Sequence, residues 1–128
     1  MNRNLVWLLV LIAFLQKHKL TLPQLRELAR AAGFPNPDLA AAVAMAESAG
    51  NSMAVGDVTR GFSIGLWQIN LRAHPEYNAV SLYDPNNNAQ AAMKISSGGT
   101  NWKPWTTFNT GAYKKYLPKP AATSEPVA

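Results

Sequence analysis

Residues 36–51 read NPDLAAAVAMAESAGN, and residues 62–70 read FSIGLWQIN. The first stretch carries the local signals of a helix. Asn36 suits the N-cap, Pro37 the first helical position and Asp38 the positive end of the dipole. Gly50 marks the stop. Leu39, Val43 and Glu47 recur four residues apart and so share one face. Glu47 is the only charged residue between Asp38 and Asp57. A carboxyl at the end of an apolar stripe is costly to ionise when buried, and one that stays protonated near neutral pH is a general acid. The plain alternative is a solvated glutamate at a helix end. In the second stretch, Gly65 lets the backbone approach another group closely. Gln68 and Asn70 alternate with Trp67 and Ile69, which predicts a short extended segment with amides on one side. Amides beside a tryptophan suit a sugar, with forked hydrogen bonds for hydroxyls and acetamides and a flat apolar face for a pyranose ring.

Outward from these stretches the chain reads as helices with few strand signals. Thr21, Pro23 and Gln24 start a helix over Leu22–Ala32, and Gly33 stops it. Asp84-Pro85 starts another, with Ala89, Ala92, Met93 and Ile95 on its packing side and Gly98-Gly99 at its end. On that helix Asn88 either binds a ligand or orients a neighbouring loop. Trp102-Lys103-Pro104-Trp105 and Phe108-Asn109-Thr110-Gly111-Ala112-Tyr113 follow, and the domain closes by Leu117. The remaining PKPAATSEPVA is Pro/Ala-rich and reads as a loose tail, residues 118–128.

At the other end, Leu5–Leu15 is an unbroken apolar run flanked by Arg3 and by Lys17-His18-Lys19. As a helix it is roughly 17 Å long, short of the ~30 Å hydrocarbon core. A basic residue before a short apolar stretch resembles a secretory signal, but the small-residue cleavage site is missing. An uncleaved signal-anchor, a helix lying at a membrane and a helix buried in protein all remain open, and the basic flanks favour membrane association or export. The expected organisation is therefore an apolar helix over residues 1–20, a domain over 21–117 and the tail.

Composition narrows the function classes. With 128 residues, 48% apolar and 15% charged, the chain suits one globular domain. Zero cysteines exclude a disulfide scaffold and a thiol nucleophile, and two histidines argue against a His-rich metal site. The net charge is +5, but residues 1–33 hold most of it and residues 34–117 are nearly neutral. A nucleic-acid groove is disfavoured, because Trp102 and Trp105 are not interleaved with enough Lys or Arg.

Glu47-Ser48, then Ser63-Ile64-Gly65-Leu66-Trp67-Gln68-Ile69-Asn70, then Asp84-Pro85 with Asn88, then Trp102-x-Pro-Trp105 with Gly111-Ala112-Tyr113, resemble in order and spacing the soluble-lytic-transglycosylase type of lysozyme-like domain. The chain looks particularly like the compact versions found in bacteriophages. The likeness spans roughly residues 37–117. It implies a small, mainly α (α+β) lysozyme-like fold with at most a minor strand element. It also implies cleavage of the β-1,4 bond between N-acetylmuramic acid and N-acetylglucosamine in peptidoglycan strands, without metal or cofactor. In that family the glutamate at the Glu47 position protonates the glycosidic oxygen, and its carboxylate then helps the muramyl 6-hydroxyl attack C1, giving a 1,6-anhydro sugar. The resemblance places Gln68 and Asn70 in the substrate cleft, Ser63 where it orients substrate or Glu47, and Tyr113 near a tyrosine that supports the glutamate. Trp67, as the flat face beside the amides, and Asn88 are read from the residues themselves as further substrate contacts. It suggests action in a phage virion or in the bacterial envelope, with membrane contact through Leu5–Leu15. This chain departs from the pattern at Ala49, where Gly is usual, and at Trp67, where Met is common.

Two carboxylates are needed for simple hydrolysis. Asp57 is the one acid able to partner Glu47, and beside Gly56 it reads more readily as a turn residue. The reading therefore favours a one-carboxylate transglycosylase. A hydrolase using Glu47 and Asp57 is the first alternative, and a catalytically weak wall-binding virion protein is the second.

Overall fold

The computed structural model describes Val6 and residues 18–120. Apart from Val6, the apolar run Leu5–Leu15 lies outside the described residues, as does the tail from 121. Among the described residues no helix is long and apolar enough to cross a membrane.

The domain is mainly helical with one small sheet. Helix α1 is Leu22–Ala32, α2 Pro37–Ser48, α3 Ala79–Leu82, α4 Pro85–Ile95 and α5 Thr106–Asn109, followed by a 3-10 helix over Ala112–Tyr116. Between α2 and α3 run β1 (Val55–Gly56), β2 (Ser63–Ile64) and β3 (Ile69–Asn70), antiparallel in that order. Val55 faces Ile64, and Ile64 faces Ile69.

The caps sit where local chemistry puts them. Gln24 N–H donates to Thr21 Oγ1, and Thr21 N–H donates back to Gln24 Oε1, a complete capping box. Leu39 N–H donates to Asn36 Oδ1, and Asn87 N–H donates to Asp84 Oδ1. Helix α4 stops at Ile95, short of the Gly98-Gly99 expected from the sequence, because Ser96 Oγ accepts the Gly99 N–H and Gly98 N–H closes on Met93 O.

Helix α2 is the centre of the molecule, and Ala40 through Ala44 are all fully buried. Small side chains let neighbours approach its backbone closely and lose no rotamer freedom on burial. It packs against α1, the 3-10 helix and α5. An aromatic group locks one end of this arrangement. Phe34 stacks on Trp67 and Trp102 at 5.7 and 5.6 Å, and Trp102 meets Trp105 at 4.9 Å. Trp67 Nε1–H donates to Ala40 O at 3.0 Å, and Trp105 Nε1–H to Trp67 O at 2.8 Å.

Helix α2 ends on Ala49 at φ 54°, a left-handed conformation that costs an L-residue roughly 1 kcal/mol. Here the departure from the family's usual glycine has a physical cost. Ala49→Gly is expected to raise stability by about 0.5–1 kcal/mol, read as a higher urea midpoint at unchanged slope. The next residue, Gly50, has no such freedom to change. At φ 82° a Cβ there would lie 2.1 Å from Leu20 O. That contact belongs to a short pairing in which Leu20 N–H donates to Gly50 O and Ser52 N–H to His18 O, fastening residues 18–20 beside the end of α2.

The extended reading of residues 67–70 is corrected. Only Ile69 and Asn70 are strand, and Gly65 through Gln68 form the turn between β2 and β3. Gly65 at φ 78° and Gln68 at φ 49° reverse the chain, which swings Trp67 inward instead of along a strand face. What Gly65 approaches is Asn88. A Cβ on Gly65 would meet Asn88 Nδ2 at 2.3 Å and Leu82 O at 2.6 Å.

Candidate active site

Glu47 stands on the last turn of α2, where the stripe from Leu39 through the fully buried Val43 reaches the surface. Burial pushes its carboxyl up from the ordinary 4.5 to about 7. The Thr107 hydroxyl works against this by favouring the charged form, and the negative charge of Asp57 adds to the rise. Three elements thus bear on the protonation of this carboxyl: the end of α2, the loop after β1 and helix α5. At neutral pH a substantial fraction of Glu47 is protonated and able to donate.

Asp57 lies just past β1, exposed and at φ 51°. Its backbone carbonyl accepts from Arg60 and Phe62, the bonds of a tight turn. Its Oδ2 accepts the Ser63 hydroxyl at 2.7 Å. Ser63 Oγ in turn accepts from Asn70 Nδ2 at 3.2 Å, and the same amide reaches Arg60 O at 3.1 Å. Asn70 Oδ1 accepts from the Arg72 and Ala73 backbone. The chain Asp57–Ser63–Asn70 crosses the sheet and holds its loops in register.

The other residues singled out in the sequence divide between this lobe and the core. Gln68 is partly exposed. Its Nε2 donates to Ala54 O and Gly65 O, and its Oε1 lies so close over Gly56 that a Cβ there would sit 2.3 Å away. Tyr113 sits in the 3-10 helix beside α2, with its ring stacked on Phe108 at 5.0 Å, and it has no hydrogen bond to Glu47.

Trp67 and Asn88 are corrected as substrate contacts, for both are 0% exposed. Trp67 is walled in by Phe34, Ala40 and Trp105 and has no face left for a sugar. Asn88 takes the loop-orienting role. Its Oδ1 accepts from Trp67 N–H at 2.8 Å, and its Nδ2 donates to Ile64 O and Leu82 O, both at 2.9 Å.

Two features escaped the sequence reading. Thr107 carried no signal, because neither its type nor its spacing differs from an ordinary helix threonine. Phe62 opened the 62–70 stretch without being given a role. It is 46% exposed, at φ 61°, and shares the hairpin surface with exposed Met53, Val55 and Val58. A bulky residue held at positive φ is uncommon and costs backbone energy.

Among the described residues no group of three or more His, Asp or Glu gathers as a metal site. An open depression of about 660 Å³ between α3 and α4, lined by Tyr77, Ser81, Asn87 and Lys94 among others, contains no carboxylate and so no counterpart to Glu47.

The family model described as a lysozyme-like domain matches residues 26–107. The span runs from within α1 to Thr107 and includes Glu47, Asp57 and the whole sheet. No curated protein and no solved structure matches the chain.

Proposed function

The chain belongs to the lysozyme-like domain family, whose members act on peptidoglycan, and from that premise we propose that it is a lytic transglycosylase with Glu47 as its single acid and base. The observation that carries this reading is the Glu47 carboxyl, raised to about 7 by burial on the last turn of α2. In the first step protonated Glu47 gives its proton to the oxygen linking muramyl C1 to the next sugar, and the C1–O bond breaks. In the second step the Glu47 carboxylate takes the proton of the muramyl 6-hydroxyl as that oxygen bonds to C1. One proton has moved from O6 to the leaving oxygen, Glu47 is restored, and no water is consumed. Phe62, Met53, Val55 and Val58 offer apolar surface for pyranose rings beside the hairpin, and Gln68 offers an amide.

A second reading keeps the substrate and consumes water, with Asp57 as the second carboxylate. Its support is that the charge of Asp57 is felt at Glu47. Against it, Asp57 Oδ2 is engaged by Ser63 and the residue is part of a tight turn. On the favoured reading the protein works in a phage virion or in the bacterial envelope.

Mass spectrometry of sugars released from purified peptidoglycan tests the proposal. Products ending in 1,6-anhydro muramyl groups, lighter by one water than reducing-end products, are expected. Reducing ends would transfer the role to the Glu47–Asp57 pair. No products from a folded protein would leave a wall-binding role.

A further inference from the structure

We propose that Thr107 is a positioning residue for Glu47, its hydroxyl holding one carboxyl oxygen so that the exchangeable proton sits on the other, facing the substrate. The inference rests on Glu47 being the acid.

Thr107 Oγ1 is buried and has no hydrogen bond of ordinary distance and angle. Buried polar groups are almost always paired, so an orphaned hydroxyl calls for an explanation. A helix threonine commonly satisfies itself on the carbonyl four residues back. For Thr107 that carbonyl is Lys103 O, which already accepts from Asn109 Nδ2 at 2.8 Å. Helix α5 packs against α2, and the group on α2 on which this hydroxyl acts is the Glu47 carboxyl.

The placement of that hydroxyl is imposed by its neighbours. Two residues before it, Trp105 caps α5 and is pinned by its bond to Trp67 O. One residue after it, Phe108 is stacked on Tyr113. A β-branched side chain on a backbone held at both ends has little rotational freedom. The aromatic group around Trp67 thereby fixes the backbone that carries this hydroxyl.

The charged groups on the elements around Glu47 are few. On α1, Arg26 pairs with Asp38 at the far end of α2, at 3.4 Å, and the exposed Glu27 and Arg30 pair with each other. Lys114 and Lys115 of the 3-10 helix are exposed, and the charge that acts on Glu47 is that of Asp57. A change at Thr107 is therefore read against a background of one carboxylate.

The test compares wild type with Thr107→Val, Thr107→Ser and Thr107→Ala. Two quantities are measured: the titration midpoint of the Glu47 carboxyl carbon by NMR, and kcat and KM on peptidoglycan. Removing a donor that favours the charged form raises the midpoint above the wild-type value in the Val and Ala variants, and Ser restores it. The same two variants lose about tenfold in kcat with KM within about twofold. If Val is too unstable to titrate, the Ser and Ala pair decides by itself. An unchanged midpoint and kcat in the Val or Ala variant would overturn the proposal. The titration needs no turnover, so an inactive wild type with a shifted midpoint would sink the transglycosylase reading and leave the Thr107–Glu47 contact standing.

Discussion

Glu47→Gln is expected to leave a folded protein without the proposed cleavage of peptidoglycan. The expected loss is at least about 100-fold and up to about 10,000-fold, the range that a positioned general acid supplies. The amide fills the same space but has no proton to give. On the proposed mechanism the active form is the protonated one, so kcat/KM is expected to fall about tenfold per pH unit above about 7, where the carboxyl ionises. Stability carries the same signature. The folded carboxyl holds its proton up to about 7, whereas in the unfolded chain it loses it near 4.5. Between those values the folded state binds more protons, so this contribution is fully present below the unfolded value and is lost as pH rises through about 7. The Gln variant lacks that loss, and above pH 7 it melts at a higher temperature than the wild type. A functional group held in an unfavourable setting is commonly a stability cost. Wall clearing and melting curves at pH 5 and pH 8 check both halves. A Gln variant retaining a tenth or more of wild-type activity would remove Glu47 from its role.

Asn88→Leu produces the largest loss of stability, roughly 3–5 kcal/mol. The side chains are close in volume, so the core is not emptied. What disappears is the partner of Trp67 N–H, Ile64 O and Leu82 O, three buried backbone groups at 2.8, 2.9 and 2.9 Å. Each is left in a site that water does not reach, because Gly65 already brings the turn into contact with Asn88. The urea midpoint falls steeply with little change in slope. A substrate ligand would behave in the opposite way, with KM rising at unchanged stability. The effect also spreads to the site, because the Gly65–Gln68 turn that Asn88 braces carries Trp67, against which Trp105 and hence α5 are fixed. Some loss of kcat in the surviving folded fraction follows.

The elements legible in the sequence were those set by neighbours along the chain. Thr21 with Gln24, Asn36 with Pro37, and Asp84 with Pro85 each pair a side chain with an amide three residues on, so α1, α2 and α4 start where those residues stand. The Glu47-Ser48 and GLWQIN stretches also carried the family, and with it the kind of fold. Three short elements, α3, α5 and the 3-10 helix, went unread because four or five residues show no period.

The roles of particular side chains were decided by tertiary structure. Alternation around Gln68 predicted a strand, but the left-handed turn at Gly65 and Gln68 overrode it and buried Trp67. Asn88 was an ambiguous polar residue until its three partners, from other parts of the chain, assembled around it. The sequence alone determined where helices start and which carboxyl is eligible for acid chemistry. Only the fold decided that this carboxyl keeps its proton near neutrality, and that a threonine hydroxyl from a distant helix acts on it. Capping energies are local and survive in a single line of residues. Desolvation is a property of whatever packs around a group, and here it outweighs the Thr107 hydroxyl, which favours the charged form.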